Sequence, residues 1–122
     1  MSDNQQKLER IFSDLRDFPT SIKRLFLETL LFNFTITSRA IHSDESQTEK
    51  EKLDALKWLN ELTHRIWNIR STLDEKQSDD CILRLDENLK FYAGMSNHLN
   101  NNLTATLFLT YETTKIIAED RF

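Results

Sequence analysis

One glycine, one proline and one cysteine are all that this chain of 122 residues carries of the residue types that break, bend or staple a backbone. Each scarcity excludes something. A sheet protein of this size needs turn residues roughly every 8–12 positions, and Gly94 and Pro19 cannot supply them, so the pattern calls for few turns and long helices. Cys81 stands alone, which excludes a disulfide framework or a CxxC metal knuckle within one chain and leaves an ordinary thiol. No glycine-rich phosphate loop and no glycine-supported nucleophile turn is present. The opening MSDNQQKLER has no basic region followed by an apolar block, so no secretory signal is read and a cytoplasmic location is expected. A formal net charge of −4 gives no reason to seek a phosphate backbone, so nucleic acid is disfavoured as a partner and a basic protein surface is favoured.

What the chain does have is an apolar stretch from Ser21 to Ile41, SIKRLFLETLLFNFTITSRAI. Stepped at about 100° per residue, its apolar side chains cover most of a helical circle. Arg24, Glu28, Thr35, Arg39 and His42 fall within a strip of roughly 60° on the same geometry. A surface helix has a broader polar face, so a helix over about residues 20–42 is expected at the centre of a soluble bundle. Arg24 and Glu28 have the spacing to pair along the strip. A membrane span is excluded: the strongly apolar run from Leu25 to Ile36 is short and contains Glu28 and Asn33, where a span needs about 20 apolar residues.

Around this helix the sequence predicts four others. Leu8, Ile11, Phe12 and Leu15 give one stripe on a helix over about 4–16, closed by Pro19. Thr48 and Glu51 have capping-box spacing and start a helix running to about Glu75. Its core face carries Ala55, Leu56, Leu59, Leu62, Ile66, Ile69 and Leu73, with Trp58 and Trp67 at the flanks. Ser78 with Asp79 and Asp80 reads as the cap and acidic first turn of a helix ending at Ala93, where Gly94 suits a left-handed terminal residue. Ser96 then caps a helix over about 97–119, in which Leu99, Leu103, Leu107 and Ile117 lie among Thr106, Thr110 and Thr114. The fold class is therefore all-α: one domain, 1–122, an antiparallel bundle of four to five helices.

Candidate chemistry is sparse. Glu61 and His64 form the Glu-x-x-His spacing that shares a metal ion in ferritin-like bundles, but a second such pair is missing and both point away from the core face. A small metal-binding or enzymatic bundle using Glu61 and His64 is the alternative reading; no catalytic residue, cofactor or metal ligand is assigned. The polar side of the third helix is a candidate partner surface: Trp58, Asn60, Glu61, His64 and Arg65, approached by Arg39 and His42 from the end of the second. Tryptophan beside arginine and histidine is a common composition for a binding surface. Phe91, Phe108, Leu109 and Ile116 fall off their own helices' inner stripes and form a candidate apolar interface.

The segment from about 38 to 67, with Ser38, Arg39, Asp44, Leu56, Lys57, Trp58, Leu59, Asn60, Glu61, His64 and Arg65, resembles a group of small bacterial all-helical proteins with an ALKWLNE-x-x-HR core. The resemblance implies a bacterial helical protein and carries no activity. The expectation is a non-catalytic interaction protein, a small acidic regulator of the antitoxin or immunity type. It would cover a basic protein partner or a second copy of itself.

Overall fold

The computed structural model describes residues 3–121, with side chains from Gln5 to Asp120. It holds five helices: α1 (Asp3–Asp17), α2 (Thr20–Ser43), α3 (Glu49–Ser71), α4 (Ser78–Ala93) and α5 (Asn97–Arg121). No strand occurs among the described residues. α2 packs against α3 and α5, α4 closes the gap between α3 and α5, and α1 lies across α4 and α5. All five helices contribute to one core, in which Leu15, Phe26, Leu27, Leu30, Leu62, Ile66, Leu85 and Leu99 are fully enclosed. No helix among the described residues is long and apolar enough to cross a membrane.

Local chemistry sets where α2, α3 and α5 start. The Pro19 carbonyl accepts from the amides of Ile22 and Lys23, both at 3.0 Å, and opens α2. Thr48 Oγ1 accepts from the Glu51 amide and Glu51 Oε1 accepts from the Thr48 amide, both at 3.2 Å. This reciprocal box satisfies two otherwise orphaned donors of α3. Ser96 Oγ accepts from the Leu99 amide at 3.2 Å and caps α5.

The ends depart from expectation in three places. α3 stops at Ser71 and not near Glu75. There Thr72 Oγ1 donates to the Ile69 carbonyl at 2.9 Å, and the Thr72 and Leu73 amides close back three residues at 3.2 Å. A threonine hydroxyl competing for a backbone acceptor ends the α-ladder, and Leu73 enters the core from the following loop. Ser78 is the first residue of α4, not its cap, because its hydroxyl accepts from Lys23 Nζ at 3.0 Å; Gln77 holds the cap position with no side-chain bond. Gly94 is right-handed, with φ −71° and ψ −14°, since the turn into α5 continues helical geometry and needs no left-handed residue.

The seam between α2 and α5 is polar. Asn33 Nδ2 donates to Thr110 Oγ1 at 2.9 Å, and Thr37 Oγ1 shares a hydrogen bond with Thr106 Oγ1 at 2.5 Å. Four residues up α2 correspond to four residues down α5, so these two helices run in opposite directions. The threonines that weaken a helical reading of α5 are satisfied within it. Thr106, Thr110 and Thr114 each donate to the carbonyl four residues earlier, at 2.7–2.8 Å. All three are buried, as are Asn33 and Thr37.

The polar strip of α2 is exposed as expected, but the pair along it is not formed. Glu28 instead takes Arg70 of α3, and Arg24 donates to the Leu73 carbonyl at 3.3 Å. The strip is also wider than expected: Phe32 is 70 % exposed and Ile36 53 %. Lys23 is only 2 % exposed and reaches Ser78 and Asp79 at the start of α4, so its charge is paired as well as buried.

Candidate functional site

On α3 the predicted polar face is present but not joined to the end of α2. Asn60, Glu61, His64 and Arg65 are exposed, as are Arg39 and His42. Among the described residues no hydrogen bond or ion pair links Arg39 or His42 to any of the four. Glu61 turns towards α4, where its Oε2 accepts from the Tyr92 hydroxyl at 3.5 Å. Trp58 follows it: half-buried, tilted against Tyr92 with ring centroids 6.2 Å apart, and covered by Lys57 Nζ at 4.8 Å. Trp67 faces the α2 side and carries Arg70 at 5.6 Å. The two tryptophans thus border opposite edges of α3. Among the described residues no group of three or more His, Cys, Asp or Glu side chains could hold a metal ion, so Glu61 and His64 gain no third ligand. Cys81 is buried, its thiol 3.8 Å from the Ile69 carbonyl.

The four apolar candidates do not share one face. Phe91 is 55 % exposed and stands edge-on to Tyr92, on the flank of α4 where Arg84 reaches Thr72 beside α3. Phe108 packs against the core. Leu109 and Ile116, 51 % and 63 % exposed, lie on the outer side of α5. What joins them is on α2. In antiparallel right-handed helices, the residue just before a seam residue turns to the same outer side on both partners, about 100° away. Phe32 precedes Asn33, Ile36 precedes Thr37, Ala105 precedes Thr106, Leu109 precedes Thr110. These side chains therefore emerge together beside the polar seam. Tyr111, one residue after Thr110, turns the opposite way and donates to Asp14 of α1. The result is a two-helix apolar face, with Leu25, Phe32, Ile36 and Ala40 along α2 and Ala105, Leu109 and Ile116 along α5.

Sequence reasoning singled out Leu109 and Ile116 but placed Phe32 and Ile36 in the core. The available signal was their position immediately before a buried polar residue, and it becomes readable only once Asn33 and Thr110 are known to meet.

Two other features escape a sequence reading. A groove of about 680 Å³ runs between α1, α4 and α5, lined by Leu8, Phe12, Arg16, Asp86, Lys90 and Leu107 among others. Asp86 Oδ2 pairs with Lys90 at 3.3 Å while its buried Oδ1 has no partner among the described residues. At the other end His98 Nε2 lies 3.6 Å from Asp44 Oδ2. The Ser46 hydroxyl and amide, at 2.6 and 3.0 Å, hold the Asp44 carboxyl below its usual range. Burial, reinforced by the hydrogen bond to Asp14, pushes the Tyr111 phenol up to about 12.

No protein-family model matches the chain, and neither a curated protein nor a solved structure matches it significantly.

Proposed function

We propose that this is a non-catalytic interaction protein, an antiparallel bundle with α2 as its central post that acts by covering a protein surface with the outer face of α2 and α5. The supporting observation is that Phe32, Ile36, Leu109 and Ile116, each more than half exposed, stand on adjoining helices beside one seam. A contiguous apolar patch of this kind on a monomer is a mark of association. The polar face of α3, with Trp58 and Arg65, supports association less, because Trp58 is already half-covered by Tyr92 and Lys57.

Affinity purification of the tagged chain from its own host tests this. Capture of a partner, whether another protein or untagged copies of the chain, should be lost with Ile36→Asp or Leu109→Asp and kept with Trp58→Ala or Arg65→Ala. The reverse pattern would move the function to α3, and stoichiometric metal lost with His64→Ala would replace the reading with a metal protein.

A further inference from the structure

We infer that the occupant of the α2–α5 face is a second copy of this chain, docked about a two-fold axis that lies between the two α2 helices, perpendicular to them and level with the midpoint of Phe32 and Ile36. The inference rests on the proposed docking face and adds its partner and register.

Charge on the rim of the face favours a second copy. On the α3-side edge of the patch, in the strip that also holds Arg24, Glu28 and Arg39 stand at nearly the same angle round α2. They sit almost equally far from the Phe32–Ile36 midpoint, on either side of it. An antiparallel, self-complementary docking puts residue i against j and j against i. About this axis it brings Phe32 of each copy against Ile36 of the other, and Glu28 against Arg39 of the second copy at both ends. The in-chain geometry leaves room for this. Arg70 Nε and Nη2 both donate to Glu28 Oε1, at 3.1 and 2.5 Å, so Oε2 stays open to a further donor. Arg39 is exposed and has no partner among the described residues. A basic partner, by contrast, is not favoured on this edge, where Arg24, Arg39 and Arg70 outnumber Glu28.

The area of the face fits a second copy as well. From Leu25 to Ala40 the patch is about 22 Å long at 1.5 Å per residue, and about 20 Å wide across two helices packed 8–10 Å apart. That is on the order of 450 Å², within the range of the largest patch on a monomer, which is often functional. Extending along the whole of α2 brings the contact to roughly 700 Å² per copy, close to the ~800 Å² per partner of a stable complex. The apolar centre and the Glu28 and Arg39 rim then match the anatomy of such interfaces.

Sedimentation equilibrium of the purified full chain across the micromolar range tests it. The expected mass is twice 14.5 kDa. Phe32→Asp should weaken association about 30-fold or more, the loss carried by a central interface residue. Because Phe32 is 70 % exposed, helical content by circular dichroism should stay unchanged. Register is read by oxidation: an equal mixture of Glu28→Cys and Arg39→Cys chains should form a cross-linked dimer, and neither alone should. A mass of 14.5 kDa throughout, a dimer indifferent to Phe32→Asp, or a cross-link formed by either cysteine variant alone would overturn the inference. A monomer whose capture of another protein is lost on Ile36→Asp would end the two-fold dimer while leaving the docking face intact. Loss of both would end the docking face as well.

Discussion

On α3 the buried positions are apolar and the outward ones mostly polar, Leu53 and Trp67 excepted; along the seam between α2 and α5 the order is reversed. Leu59, Leu62 and Ile66 lie under Lys57, Asn60, Glu61 and His64. Between α2 and α5, Asn33, Thr37, Thr106 and Thr110 are enclosed while Phe32, Ile36 and Leu109 face out. Apart from the exposed Leu53 and Trp67, the α3 pattern follows from hydrophobic burial and solvation each taking the side they favour. For the α2–α5 pair, the proposed docked partner would account for the outward apolar groups. The pair's hydrogen bonds set the register of two helices, and its outward apolar groups, half or more exposed, contribute little to the isolated fold.

The comparison can be broken first on the α3 side. Leu62→Ala removes a fully buried side chain and should cost about 2–5 kcal/mol in urea unfolding, the range for core truncations that leave a cavity. A loss below ~1 kcal/mol would mean that α3 is not anchored by its apolar face. On the α2–α5 side, Asn33→Ala leaves Thr110 short of a buried partner and should cost about 1–3 kcal/mol. Asn33→Leu with Thr110→Val replaces both partners by apolar groups and should come near neutral, since unmet polarity is the expensive part. If the double variant is as damaged as the single, the ladder contributes more than register.

Tyr111 sharpens the contrast on the opposite flank of α5. Its phenol is raised from 10.0 to about 12 by burial and the bond to Asp14, so the folded state keeps a proton that the unfolded chain gives up near 10.0. The stability this contributes is complete below pH 10.0 and is lost as pH rises towards about 12. Tyr111→Phe should remove that alkaline step from a melting-temperature profile and cost about 1.5–3 kcal/mol at neutral pH, the range for a hydrogen bond to a charged group. A profile with the same step in both proteins would assign it to another group. The smallest effect should be that of Phe32→Asp on the unfolding free energy of the dissociated chain, within about 0.5 kcal/mol, because an exposed side chain supports little of its own fold. A loss of several kcal/mol would show that Phe32 is buried within one chain and that the outer face is not free.

Helix count and most helix starts were legible because their causes are local. Thr48 and Glu51 announce α3 by spacing, and Ser96 announces α5. α3's end was not legible: Thr72 has a side chain that reaches Ile69, and nothing in the apolar period, which runs on through Leu73, reveals it. Ser78 looked like a cap because its competing partner, Lys23, lies 55 residues away. The apolar face was half legible. Leu109 and Ile116 broke the stripe of their own helix, whereas Phe32 and Ile36 sat in a helix apolar nearly all round, where each apolar residue looks equally suited to the core. Which side of such a helix lacks a neighbour depends on how the other helices are arranged, and the period of one segment does not carry that.

Gly94 has a consequence for the unfolded chain more than for the folded one. No described residue has a positive φ, and the single glycine sits at −71°, an angle any L-residue adopts. A methyl group there would meet the Phe91 and Lys90 carbonyl oxygens at 3.4 and 3.6 Å, ordinary contact distances. The turn between α4 and α5 therefore makes no use of glycine's freedom, while the denatured ensemble gains all of it. Gly94→Ala should stabilise the protein by about 0.4–1 kcal/mol by narrowing that ensemble. The lone glycine is a place where the native state is held back by chain entropy alone.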